Sequence, residues 1–445
     1  MSAREAIDLL IEPRWIIPVE PYGVTLTDHS VAVRDGRILA VCPTDDARRR
    51  FGPTERVELR EHVLIPGLVN LHTHAAMSLM RGIADDLPLM RWLEDAIWPA
   101  ERQFVSPEFV RDGTALAAAE MLLGGITCAN DMYFHPDAAA EAFVAAGMRA
   151  VLGMAVIDFP TSYGSGPDDY IAKGLAARDR WHGHPLIDFS FAPHAPYTVS
   201  DDTFRRVVQL AHELGVTVHI HVHETQEEIE TSLARHGKRP LERLAELGLF
   251  ETDLIAVHCV HLTNDEIATL AAHGASVAHC PASNMKLASG IAPVAAMLDK
   301  GLRVGLGTDG AASNNRLDII EEMRLAGLLA KVASGRAEAF PAHALLRAAT
   351  LDGAAALRMD DRIGSIVAGK SADLVAINLG ELPLTPVFDP AGHIPYAADR
   401  RCVSDVWVAG KPRVRSHSMW QTNNKELLHR VAVWQNRLKI LATRQ

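Results

Sequence analysis

The sequence predicts an α/β protein: a (β/α)8 barrel of the TIM type, with a small β-sandwich domain built from both chain ends. Three observations predict it. Between about residues 63 and 365, apolar strand-like runs alternate with Ala- and Leu-rich helical stretches such as Thr114 to Leu123. That texture implies a parallel sheet with helices outside. Eight such runs fit into about 300 residues, the number that closes a barrel. They end near His72-Thr73-His74, Asn130-Asp131, Ile157-Asp158, Pro193-His194, His221-Val222-His223-Glu224, His258-Cys259, His279-Cys280 and Thr308-Asp309. In such a barrel the active site lies at the C-terminal strand ends, and polar residues gather at those ends here.

Before the barrel, Ile7 to Ile11, Ser30 to Val33 and Arg37 to Val41 read as short strands, and Asp35-Gly36 is a hairpin signal between the last two. Strand texture returns in Ser371 to Ile377 and in Asp405 to Lys411. These strands are expected to join the N-terminal ones in one small domain. The expected divisions are residues 1–62, 63–365 and 366–445, the last ending in an amphipathic helix over about 423 to 442.

Size and composition bound the function. At 445 residues the chain is long enough for a barrel plus an accessory domain, and 48% apolar residues supply a large core. A net charge of −11 argues against a nucleic-acid partner and against a multiply phosphorylated substrate. Five cysteines (Cys42, Cys128, Cys259, Cys280, Cys402) are scattered without a CxxC pair, which reads as reduced thiols in the cytoplasm. Glu5 and Asp8 and the lack of a long apolar run exclude a signal peptide, and no membrane span is expected. A homo-oligomer is left open.

The chemistry begins at the first barrel run, Val63 to His74. Side chains alternate along a strand, so His72 and His74 reach one point together. Neutral imidazole is a good ligand for zinc and related ions. His219, His221 and His223 also share one face, and alternation does not select among them. Glu224 follows as a candidate for proton transfer. His258 and His261, and His279 before Cys280-Pro281, are further candidates. Asp309 ends the run Arg303 to Thr308. If it points inward so do Gly305 and Gly307, which would leave room for a metal and water. No strand end carries a lysine that could be carbamylated to bridge two metals. One divalent ion, zinc, held by three His and one Asp is therefore expected, with a position kept for water.

Taken together these residues resemble the amidohydrolase superfamily over nearly the whole chain. The pattern is most similar to that of the methylthioadenosine/S-adenosylhomocysteine deaminases. The stretches that carry it are Asn70 to Met77, Gly82 to Leu89, Ala192 to Tyr197, His258 to Leu262 and Gly307 to Asn315. The resemblance implies His72, His74, His221 and Asp309 as metal ligands, selecting His221 because Glu224 stands three residues later. It implies Glu224 as proton shuttle, His258 as the residue orienting the attacking water and Asp309 as its base. His194 and Glu101 would face the substrate with Glu224 and Asp309, Glu101 accepting hydrogen bonds from ribose hydroxyls.

The implied reaction is hydrolytic deamination of a small nucleoside: methylthioadenosine, also adenosine, with S-adenosylhomocysteine less favoured. Some relatives carry an arginine after the third strand that grips the substrate, and here the segment reads Ile157-Asp158-Phe159-Pro160-Thr161. The alternatives are a triazine hydrolase, a guanine- or 8-oxoguanine-type deaminase, and a non-catalytic binding protein. The last predicts a broken constellation, and every position is filled.

Overall fold

Eight parallel strands follow one another around a barrel in the computed structural model, which describes residues 4–421 and 423–442. They are Leu68–Thr73, Ile126–Tyr133, Arg149–Val156, Ile187–Pro193, Val218–Val222, Leu254–His258, Ser276–His279 and Arg303–Leu306. Most of their residues are buried. The second and third are buried along their whole length, as expected of parallel strands covered on both faces. The ring closes where the amides of Thr308 and Asp309 both donate to the carbonyl of His72, at 3.1 and 3.0 Å.

Helices cover the outside. The longest of the early ones, Pro107–Leu123, starts with Ser106 accepting from the Phe109 amide and Pro107 in the first turn, both good helix-starting chemistry. Between the first strand and this helix lies a segment that matters later. A short turn, Ala75–Met80, leads through residues 81–88 into helical turns Leu89–Trp92, Leu93–Ile97 and Trp98–Phe104.

The chain ends build one mixed sheet beneath the barrel. Glu5–Ile16 pairs in parallel with Phe51–Pro66, which pairs antiparallel with Leu374–Asn378. From there the sheet continues through Val403–Val408, Lys411–Arg415 and Ser418–Met419, while His29–Arg34 and Arg37–Pro43 extend its other side. The Asp35-Gly36 turn has φ of +51 and +73, the left-handed geometry of a tight hairpin. Ile11, Val31, Leu64, Leu374 and Trp407 form its buried core.

Strand Phe51–Pro66 runs straight through residues 62 and 63 and ends at Pro66, because Val63 still pairs with Ile377 and Ile65 with Val375. Gly67 makes the passage into the barrel. A Cβ there would lie 2.0 Å from Thr127 Oγ1, so the close approach requires glycine. A buried pair joins the two parts as well: Arg149 Nε, on the third barrel strand, donates to Asp373 Oδ2 at 2.6 Å. The terminal helix Asn424–Ala442 docks on Pro107–Leu123, with Trp434 Nε1 donating to Asp112 Oδ2 at 2.8 Å.

Candidate active site

Four side chains converge at the strand ends. His72 Nε2 and His74 Nε2 each lie 3.2 Å from Asp309 Oδ1, and His72 Nε2 lies 3.2 Å from His221 Nε2. Four atoms at zinc's usual ~2.0–2.2 Å, arranged tetrahedrally, stand about 3.3–3.6 Å apart. The spacing therefore fits a small divalent ion. The opposite ring nitrogens support this. His74 Nδ1 bonds the carbonyl of Met132 at 2.5 Å, and His221 Nδ1 bonds that of His194 at 2.7 Å. A carbonyl only accepts, so each Nδ1 carries a hydrogen, and Nε2 is the ring nitrogen turned toward the cluster.

Electrostatics point the same way. Burial opposes charge on His74, yet bonding to Asp309 pushes it up to about 9. Burial would also raise Asp309, but the two imidazoles hold its carboxyl well below the usual range. The carboxylate is thus ionised and draws a positive charge to this point. His258 also brings a ring nitrogen within 4.8 Å of those of His72 and His221, so distance alone leaves five candidate ligands.

Asp309 is held tightly. Ser283 Oγ and Ser313 Oγ donate to its Oδ2 at 2.5 and 2.8 Å, and the Gly310 amide donates to Oδ1 at 2.8 Å. Its φ of +59 is left-handed, a strained backbone that persists only where surroundings enforce it. Asn70 supplies part of that force: its Nδ2 donates to Thr308 Oγ1 at 2.8 Å while its Oδ1 accepts from the Thr308 amide at 3.0 Å. The glycines before Asp309 do a different job from the one expected. A Cβ on Gly305 would meet Leu71 Cδ2 at 2.6 Å, and one on Gly307 would meet His72 at 2.9 Å. They admit the first strand, not an ion with its water.

The three histidines of the fifth strand separate. His219 lies under the cluster, with its Nε2 2.9 Å from His72 Nδ1. His221 joins the cluster. His223 stands past the strand end with φ +56, which breaks the alternation. Its Nε2 accepts from the Leu241 amide at 3.2 Å, away from the cleft. His261 also turns away, its Nε2 bonding the Ser289 carbonyl at 2.8 Å.

Above the cluster is a cleft lined by Glu224, His258, His194, Asp309 and Glu101. Glu224 Oε2 lies 3.6 Å from His258 Nε2, and His258 Nδ1 lies 2.8 Å from Asn284 Oδ1. Burial raises the Glu224 carboxyl above its ordinary value. His194 is pushed down to about 4 by burial and is therefore neutral, with Nδ1 3.1 Å from Thr198 Oγ1. Glu101, which helical position alone would place in solvent, accepts from Tyr133 OH at 2.8 Å, and burial pushes it up to about 7.

The cleft's walls are apolar. Met77 and Trp98 line it, whereas Leu79, Met80 and Leu87 do not. Leu89, Trp92, Leu93 and Ile97 do so instead, with Ile157, Phe159 and Thr161 opposite. Sequence reasoning also missed Asn284, Ser283 and Tyr133. The only available signal was that Ser283 and Asn284 closely follow a strand end.

A barrel that gathers imidazoles and carboxylates over one point, beside an apolar cleft with buried acids, defines a metal-dependent hydrolase. The chain belongs to the amidohydrolase family, whose model matches residues 63–413. It is 47% identical, over 98% of its length and 99% of the other's, to a 5-methylthioadenosine/S-adenosylhomocysteine deaminase of Teredinibacter turnerae. It is 42% identical, over 93% and 95%, to a 5'-deoxyadenosine deaminase of Methanopyrus kandleri. Among solved structures, an adenosine deaminase of Xanthomonas campestris with bound zinc superposes with a TM-score of 0.97 at 49% identity, covering 98% of this chain and 100% of that one. Among the described residues no helix is long and apolar enough to cross a membrane.

Proposed function

We propose that the protein is a hydrolytic nucleoside deaminase of the cytoplasm, converting 5'-methylthioadenosine, and adenosine less efficiently, to the hypoxanthine nucleoside and ammonia. The observation that carries this reading is the pair Glu224 and His258 beside the His72, His74, His221 and Asp309 cluster, with a buried acid, Glu101, lining the same apolar cleft. Relatives named for the deamination of adenine nucleosides support it.

His72, His74, His221 and Asp309 would hold one zinc ion. Bound there, such an ion supplies a Lewis acid that lowers the pKa of water toward about 7. His258 accepts a hydrogen bond from the attacking water and orients it, its ring fixed by Asn284. Asp309, already ionised, accepts a proton from that water. Glu224 donates a proton to the adenine ring nitrogen as the water oxygen attacks the carbon bearing the amino group. Burial raises its carboxyl above the ordinary value, which favours the acid form this step uses. Asp309 then passes its proton to the amino group and Glu224 takes the hydroxyl proton, so ammonia leaves as the carbonyl forms. His194 hydrogen-bonds the base or sugar as a neutral imidazole.

Glu101 would accept from the ribose hydroxyls, which favours nucleosides over free bases. Ile157 and Phe159 on the facing wall suit an apolar 5' substituent. The loop they occupy has no arginine, so a charged homocysteine tail should be less well bound. The test is incubation with purine nucleosides, free bases and chlorotriazines, following ammonia or chloride. Release of ammonia from methylthioadenosine with the highest kcat/KM is the expected result.

A further inference from the structure

The cleft's outer wall belongs to one segment, residues 81–104, which carries Leu89, Trp92, Leu93, Ile97, Trp98 and Glu101. Three loops meet at its base. Lys286, the last residue of helix Pro281–Lys286, donates from Nζ to Asp85 Oδ1 at 2.5 Å, to the carbonyl of Ala312 at 3.3 Å and to Asn315 Oδ1. An ammonium has three donors, and all three are used. Asn315 Nδ2 lies 3.3 Å from both oxygens of Asp85, and Arg81 Nη1 donates to the Asn315 carbonyl. Asn315 takes a left-handed φ of +70 to do this. The Lys286 side chain is 21% exposed and that of Asp85 is 41%, so the contact rests on Lys286 bridging three loops and not on burial of the charge pair.

The same short helix reaches the floor of the site, through Ser283 on Asp309 and Asn284 on His258. The loop after the seventh strand therefore touches both the reacting centre and the wall above it.

We propose that Asp85, Lys286 and Asn315 form a latch that seats the 81–104 wall over the cleft, acting as positioning residues for Glu101 and Trp98 and so setting the affinity for the nucleoside. Its effect on affinity rests on the nucleoside reading given above. The latch touches neither the proposed metal ligands nor Glu224. Loosening it should misplace the groups that bind substrate while leaving the reacting groups in register.

The experiment compares Asp85→Ala, Lys286→Met and Lys286→Arg with the parent enzyme in steady-state kinetics and in amide hydrogen exchange. In Asp85→Ala and Lys286→Met, KM for methylthioadenosine should rise about 10-fold, while kcat stays within a factor of about three, the pattern of lost binding and not of lost chemistry. Lys286→Arg, which keeps the charge, should recover most of the KM. Amides of residues 81–104 should exchange faster in the first two variants, with the barrel strands unchanged. Asn315→Gly, which removes the side chain and accepts the left-handed backbone, covers the case in which a charge variant fails to fold. Unaltered exchange in 81–104, or a kcat that falls while KM holds, overturns the latch. Exchange needs no substrate, so a parent enzyme that deaminates no nucleoside would refute the functional reading and leave the latch to stand or fall on its own.

Discussion

His219 Nε2 sits 2.9 Å from Nδ1 of His72, beneath the cluster of imidazoles and Asp309. For His72 to present a lone pair from Nε2, its Nδ1 must carry the hydrogen and donate to His219. His219 is thus an outer support for a ligand, although its own ring points at no cleft. Such supports commonly contribute 10–100-fold in metal affinity.

Metal content should therefore grade by position. His72→Ala, His221→Ala and Asp309→Ala should lose zinc, or hold it so weakly that dialysis against a chelator strips it. His219→Ala should keep the ion but release it to a competing chelator about 10–100-fold more readily. His223→Ala should match the parent, because that ring faces the Leu241 amide. Metal analysis with a chelator titration reads all five variants. Two ions per chain in the parent, or full retention in His221→Ala, would refute the ligand set.

Glu224→Gln preserves shape and polarity but cannot pass a proton. Its metal content should equal the parent's, and its turnover should fall by at least about 10²-fold. His258→Ala should lower kcat more than it raises KM, since the ring addresses the water and not the nucleoside. A Glu224→Gln enzyme with turnover within a few-fold of the parent would remove Glu224 from the proton path.

The barrel was legible because each strand run is apolar and ends in a polar residue, as in Arg303 to Asp309, and period and chemistry agree at those points. His72 and His74 could be paired for the same reason. What the sequence hid lies in local backbone turns and in distant packing. Alternation put His223 on the face of His221, and one left-handed residue moves it off. Glu101 reads as a solvated helix position, and only the folding of residues 81–104 over the barrel buries it. Asn284 and Ser283 act on His258 and Asp309 from another strand's loop, a contact that no spacing along the chain encodes. Met77 and Met80 are equally apolar and both follow the first strand closely, yet only Met77 lines the cleft. Met80 is fully buried away from it, since apolarity alone does not distinguish a cleft from an interior.

Two buried acids outside the cleft make a pH prediction. Glu228 accepts from the amides of His223 and Glu224, and Glu322 accepts from the Ala282 amide and Asn314 Nδ2. Burial pushes both up to about 8. An acid raised in the folded state favours folding fully below its unfolded pKa of about 4.3, and that contribution is lost as pH rises toward about 8. Glu322→Gln mimics the protonated form at every pH. The difference in Tm between Glu322→Gln and the parent should therefore shift in the variant's favour between about pH 4 and about pH 8.5, values that bracket that window. A pH-independent difference would show that Glu322 is ionised throughout.

Substrate choice turns on Glu101 and Tyr133. The carboxyl sits at about 7 because burial disfavours its charge, and as a carboxylate it accepts from hydroxyls more strongly than as an acid. Binding of a nucleoside should therefore tighten as pH rises through about 7, and Glu101→Gln should flatten that limb of the kcat/KM profile. Methylthioadenosine should rank first, adenosine and S-adenosylhomocysteine next, and AMP, guanine and chlorotriazines last. A site that hydrogen-bonds hydroxyls rejects analogues lacking them, because a buried polar group is left unpaired. Glu101→Ala should consequently narrow the gap between adenosine and adenine, chiefly by weakening adenosine. Tyr133→Phe removes the donor that holds Glu101 at 2.8 Å. It should raise KM for nucleosides and leave that for adenine nearly unchanged. Each comparison uses the same ammonia assay, with the hypoxanthine product identified by mass. If free adenine or a chlorotriazine outpaces methylthioadenosine in kcat/KM, the nucleoside assignment fails, while the barrel and its cluster of imidazoles and Asp309 are untouched by that result.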